Sequence, residues 1–309
     1  MIFVKLVVTA ITLMIVVSGV YVFVVGCLRR KDLPWLIEEE LKKTPYGKYA
    51  GNILDADHWL KSHNAQSIWM NSYDHIKLHG LWVPAKNPKG TMILVHGYRS
   101  SPLLDFGLAF PFYHDLGFNL LIPDQRSHGK SAGRLITFGA KESRDVLAWV
   151  AYHNKYFEPV PVFLSGLSMG ASTVLYLADK DLPSNVKGII ADCGFTSPAD
   201  ILSCVFRDVT HLPALPSILV TGLCTRLFAG FSLWECDTRK SLRASRIPIV
   251  MIHGKDDGFV PYEMSKKAYD CCIGQKQLML VEGADHGVSF LVEPEKYIQL
   301  VTAFLEKNL

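Results

Sequence analysis

The sequence contains no CxxC pair, no HExxH, no GxGxxG and no Walker A string, which leaves no motif for a metal, dinucleotide or nucleotide cofactor. Its seven cysteines are odd in number and include an adjacent Cys271-Cys272 pair. That is neither a disulfide framework nor a zinc spacing, so buried free thiols are expected. There is no internal repeat and no low-complexity tract, which excludes solenoids and arrays. Negative charge is missing from the first 31 residues, where Lys5, Arg29, Arg30 and Lys31 are the only charges. Residues 32–309 then hold 28 basic and 29 acidic groups. The folded part has no basic excess, so nucleic-acid binding is excluded.

What is present is a 309-residue chain with 49% apolar and 20% charged residues, enough for a sizeable core and one large domain with an extension. Leu6 to Leu28 is free of charge and rich in Val, Ile and Leu. At ~1.5 Å per residue it spans the ~30 Å hydrocarbon core of a bilayer. Residues 1–31 therefore read as an uncleaved single-pass N-terminal transmembrane helix. Val17-Ser18-Gly19 is a mediocre cleavage site. Val24-Val25-Gly26-Cys27 resembles a lipobox, but Arg29-Arg30-Lys31 argues against export. Three positive residues after the helix favour a catalytic domain on the cytoplasmic side. Residues 32–65, with Glu38-Glu39-Glu40 and Lys42-Lys43, read as a solvated juxtamembrane helix.

From residue 66 to 309, short apolar runs alternate with helical patterns. Ser67–Met70 and Ile76–Val83 read as a hairpin. Strands follow at Thr91–Val95, Phe118–Ile122, Val160–Leu164, Val186–Ala191, Ile247–Ile252 and Gln277–Val281. Helices are expected at Lys141–His153, Ala171–Ala178, Pro261–Tyr269 and Pro294–Leu305. This predicts an α/β fold, a mostly parallel sheet with helices on both faces, with ligands bound at the carboxyl ends of the strands. Between Thr196 and Arg246 the strand rhythm stops, and Pro198, Pro213 and Pro216 break an apolar stretch. This predicts a helical lid insertion over about 197–246.

The string G-x-S-x-G occurs twice, around Ser131 and around Ser168. A nucleophile elbow needs a strand directly before it and a helix directly after. Val160–Leu164 and Ala171–Val174 supply both for Ser168. Ser131 has neither and reads as a loop serine. A serine hydroxyl needs a base and an orienting acid. Asp256 and Asp257 lie just beyond one late strand, and His286 just beyond the last. His286 fits the base. Met169, directly after the nucleophile, offers one oxyanion amide. His96, His128 and His253 read as turn formers, and Asp285 as structural.

His96-Gly97-Tyr98, the run Asp124–Ser131, the elbow at Ser168, His253–Pro261 in the pattern HGxxDxxVP, and Gly283-Ala284-Asp285-His286 occur in that order. With them the sequence resembles the α/β-hydrolase superfamily over roughly residues 66–309, and more closely its serine-aminopeptidase-like and bacterial membrane-anchored groups. The resemblance implies the α/β-hydrolase fold. It makes Asp257 the acid, with Asp256 and, after another strand, Asp192 as alternatives. It makes Tyr98 the second oxyanion amide. No cofactor is implied.

The expected activity is a serine hydrolase that cleaves a carboxylic ester, acyl or lipid-like, through an acyl-enzyme. The expected partners are a small-molecule or lipid ester substrate and, through the N-terminal helix, a membrane. A peptidase, amidase or thioesterase with the same three residues is the rival within the class. Acyl transfer to another acceptor and a non-catalytic binding module on the same fold are the rivals outside it.

Overall fold

The computed structural model describes residues 1–30, Glu39, Lys42, Gly47 and 50–309. The chain opens with α1 (Ile2–Cys27). Most of the expected juxtamembrane helix over 32–49 lies outside the described residues. Its continuation is α2 (Ala50–Ser62), which buries Ile53, Ala56 and Leu60 and so is not simply solvated.

A hairpin follows, β1 (Gln66–Asn71) and β2 (Lys77–Val83), then β3 (Gly90–Val95). Two short helices, α3 (Pro102–Phe106) and α4 (Phe110–Asp115), lead to β4 (Phe118–Pro123). Next come α5 (Glu142–Tyr156), β5 (Val162–Leu167), α6 (Met169–Leu175) and β6 (Val186–Asp192). The insertion holds α7 (Pro198–Thr210), α8 (Leu215–Cys224, continued by a wider turn over Thr225–Ala229) and α9 (Thr238–Arg243). The chain closes with β7 (Ile249–Gly254), α10 (Glu263–Cys271), β8 (Lys276–Val281), α11 (Ser289–Val292) and α12 (Pro294–Asn308).

The eight strands form one sheet in the order β1-β2-β4-β3-β5-β6-β7-β8. β2 is antiparallel to both its neighbours, and every pair from β4 to β8 is parallel. The central strands β3, β4, β5 and β7 are buried along their whole length, as strands covered on both faces must be. Phe110, Tyr113, Tyr297 and Phe304 fill one face, and Val146, Trp149, Val174 and Ala268 the other.

A third cluster lies above the carboxyl edge of the sheet. There Phe195, Phe206, Phe231 and Leu233 of the insertion meet Phe138, Met169 and, from the N-terminal helix, Phe23 and Cys27. The register brings the strand ends level: Val95 pairs with Gly166, Leu167 with Asp192, Asp192 with Ile252, and Gly254 with Val281. The loops after β3, β5, β7 and β8 therefore open onto one rim.

Candidate active site

The turn from β5 into α6 is tight because of what stands behind it. A Cβ at Gly170 would lie 1.8 Å from the carbonyl oxygen of Val95, so only glycine lets this helix start against β3. The turn holds Ser168 at φ 55°, ψ −116°, an uncommon conformation for a side-chain-bearing residue. Its amide donates to the Asp192 carbonyl at 2.8 Å.

The Ser168 hydroxyl lies 2.8 Å from His286 Nε2, and His286 Nδ1 lies 2.7 Å from Asp257 Oδ2. With the ring proton on Nδ1 donated to the carboxylate, Nε2 is left as an acceptor for the serine proton. The Asp257 side chain is fully buried, and the His286 side chain is 19% exposed. Burial opposes ionisation of Asp257. Hydrogen bonds from His253 and His286, and from the Val260 amide, outweigh it and hold the carboxyl well below the usual range.

Sequence reading missed the part played by His253. Its Nε2 is 3.0 Å from Asp257 Oδ2 and 2.9 Å from the Val260 carbonyl, while Nδ1 meets the Ser265 hydroxyl at 2.7 Å. It acts as a second clamp on the acid. The HG pair at the end of β7 was the only signal in the sequence.

The alternatives fall elsewhere. Asp256 points to solvent. Asp285 accepts from the amides of Gly258 and His286, at 3.0 and 2.7 Å, and so ties the Asp257 loop to the His286 loop. Asp192 is buried, accepts from the Ser289 hydroxyl at 3.2 Å, and burial raises its pKa to about 6. Ser131 accepts from the His79 amide and donates to the Asp124 carbonyl, at 2.9 and 2.6 Å, inside a buried turn.

The loop after β3 is held from both sides of Tyr98. The Gly97 amide donates to Asp105 Oδ2 at 2.6 Å, and the Arg99 amide to His128 Nε2 at 3.0 Å. Burial raises the Asp105 carboxyl to about 6, against the lowering effect of its bonds from Ser100 and Gly97. His96 is fully buried, which depresses its pKa to about 3, so it is a neutral turn former. The Met169 amide opens the first turn of α6. The Tyr98 hydroxyl lies in the cavity wall and donates to the Gly26 carbonyl at 2.8 Å.

Ser168 lies in a cavity of about 390 Å³, within the ~300–1,000 Å³ of small-molecule sites. Its wall is mostly apolar. Phe138 and Phe195 line it together with Ser168, Leu202 and Phe206 come from α7, and Val22 and Val25 from α1. Among the described residues lining it none is acidic, and Arg99 is the only cation. One group of metal-type donors occurs among the described residues, Cys193, Asp257 and His286. Both Asp257 oxygens are already engaged, and burial holds the Cys193 thiol protonated. The cluster therefore offers an ion little.

Residues 90–210 match the model of the alpha/beta hydrolase fold. With the sheet order and the turn at Ser168, this gives the chain the α/β-hydrolase fold. The chain is similar to the uncharacterized protein YqkD of Bacillus subtilis, at 28% identity over 74% of this chain and 75% of that one. It is also similar to the uncharacterized membrane protein YNL320W of Saccharomyces cerevisiae, at 23% identity over 67% and 68%. Among solved structures it is similar to the Pyrococcus furiosus esterase Pf2001 in two crystal forms. The TM-scores are 0.65 and 0.64 and the identities 23% and 25%, covering 80% of this chain and 95% and 91% of the esterase.

Proposed function

We propose that the protein is a serine hydrolase of carboxylic esters, anchored to a membrane by α1 with its catalytic domain on the cytoplasmic side. The observation that carries the reading is the Asp257–His286–Ser168 hydrogen-bonded chain ending on the wall of an apolar cavity. Ser168 Oγ attacks the ester carbonyl carbon while His286 Nε2 takes its proton. The carbonyl oxygen, now an anion, accepts from the amides of Tyr98 and Met169. The C–O bond to the alcohol breaks, and His286 returns the proton to that oxygen. Water then attacks the acyl-serine, giving its proton to His286, and Ser168 leaves with that proton. Asp257 keeps the imidazole in the required tautomer and stabilises the imidazolium.

An apolar wall fits an acyl or lipid-like chain. A peptidase that captures a free α-amino group needs an acidic partner, and the described lining supplies none. Thioesters meet the same machinery. The anchor reading draws on a 26-residue apolar helix and on the membrane relative in yeast. The orientation draws on Arg29-Arg30-Lys31.

The test is fluorophosphonate labelling of the full chain, comparing wild type with Ser168→Ala and Ser131→Ala. Labelling lost only in Ser168→Ala supports the reading. A folded wild type that takes no label sinks it and favours a binding module.

A further inference from the structure

We propose that α1 is a wall of the substrate cavity as well as an anchor, and that an acyl ester reaches Ser168 sideways out of the bilayer. This rests on the ester-hydrolase reading above and adds the substrate's route.

The last third of α1 is folded into the catalytic domain. Gly19, Phe23, Gly26 and Cys27 are buried, while most of the helix before them is exposed and apolar. At Gly19 the two helices nearly touch, since a Cβ there would meet Val220 Cβ at 2.5 Å and the Ser217 carbonyl oxygen at 2.6 Å. Ser18 and Ser217 hydroxyls meet at 2.7 Å, and Thr221 Oγ1 donates to the Gly19 carbonyl at 2.9 Å. Small residues that let backbones approach, joined by hydroxyl bonds, are how helices pack inside a membrane. Further along, Phe23 meets Phe228. Contacts advance in the same direction along both helices, so α8 runs parallel to α1.

α8 and its continuation then present a second apolar stripe. Leu215, Leu219, Leu223 and Leu227 recur every four residues and are 55–66% exposed. Such a stripe on one face of a helix calls for an apolar partner. The bilayer is that partner, because α8 starts beside Ser18 and Gly19, where the exposed apolar length of α1 gives way to its buried end. The free part of α1, residues 2–17, is about 24 Å long at ~1.5 Å per residue, close to the ~30 Å of the hydrocarbon core. That places Tyr21, 65% exposed, at the interface depth where aromatic side chains settle.

Tyr21, Val209, Thr210 and Phe259 are the exposed residues of the cavity lining and mark its mouth. The opening therefore faces the lipid boundary. The cavity, of about 390 Å³, is of small-molecule size and its wall is mostly apolar, which suits an acyl chain. α1 also holds the loop beside the nucleophile. Its last carbonyls, left without helical partners, accept from Tyr98 and Arg99: Gly26 at 2.8 Å, Leu28 at 3.1 Å, and Val25.

The experiment uses the full chain in phosphatidylcholine vesicles. The probes are a monoacylglycerol with a lauroyl chain, carried in the vesicles, and p-nitrophenyl butyrate, dissolved in water. Fluorophosphonate labelling of the wild type is read first, and its failure falls on the hydrolase reading alone. With labelling present, Val22→Trp, which fills the wall, lowers the ratio of lauroyl to butyryl hydrolysis about tenfold. The surface double variant Leu219→Asp/Leu223→Asp lowers the same ratio about tenfold by lifting the stripe from the bilayer. An unchanged ratio in Val22→Trp overturns α1 as a wall. An unchanged ratio in the double variant overturns delivery from the bilayer.

Discussion

At Asp257, burial and hydrogen bonding pull in opposite directions, and four donors decide the outcome. His253 and His286 reach Oδ2, and the amides of Phe259 and Val260 reach Oδ1. In Asp257→Asn the amide donates to His286 where the carboxylate accepted, and the imidazole takes the wrong tautomer. The expected loss in kcat is about 10³–10⁴-fold, with folding retained, measured by ester kinetics and thermal melting. Asp192 presents the reverse case. Burial lifts its pKa from about 3.9 unfolded to about 6 folded. The folded state holds the proton more tightly in that window. The resulting stability is complete below about pH 4 and is lost as pH rises through about 6. Asp192→Asn lacks this slope. Denaturant melts of the two proteins should move in the variant's favour between pH 4 and 6, by no more than ~3 kcal/mol, and run in parallel above. A constant gap across that window would count against the assignment.

Among the elements, the elbow depends on one contact. Gly170 sits where the first turn of α6 meets the β3 backbone, and a strand core cannot recede to admit a methyl group. Gly170→Ala is expected to cost about 3 kcal/mol or more in a urea melt, or to prevent folding. The insertion is the second element with a consequence. α7 supplies the Leu202 and Phe206 wall, so replacing Thr196–Arg246 by a short linker should abolish preference for long over short acyl esters, read with a chain-length series. Unchanged selectivity would remove the lid from the mechanism. Helices α3 and α4, and the burial of α2, were not legible in the sequence. Helices of five or six residues are too short to show a 3.6 period, and α2 is mixed in polarity along its length.

For the whole molecule, the consequence of the third core cluster is that the apolar N-terminus does not end at a linker. Phe23 and Cys27 pack with the insertion, and Leu28 pairs with Leu135. A fragment starting at residue 32 would uncover Phe138, Leu202 and Phe206. Such a fragment is expected to self-associate in size-exclusion chromatography, where the full chain in detergent runs as a defined particle. A monodisperse fragment would show that the cluster closes without α1.

The sequence by itself determined the fold class. Near-continuous apolar strands alternating with helices admit little except a covered parallel sheet, and Gly-rich turns at strand ends mark the rim. It also named Ser168 and His286 as candidates, because strand-then-elbow context and chain order are local facts, while the choice of Asp257 over Asp256 came from the family resemblance. Only the tertiary structure decided that His253 clamps Asp257, that Asp105 holds the loop at Gly97, and that α1 lines the cavity. Each of these joins groups through space, and hydrogen bonding and packing at such separations leave no periodic trace along the chain. The apolar run of α1 reads the same whether lipid or protein covers it. Its glycine-lined approach to α8 is the contact that separates the two, and that contact exists only once the chain has folded.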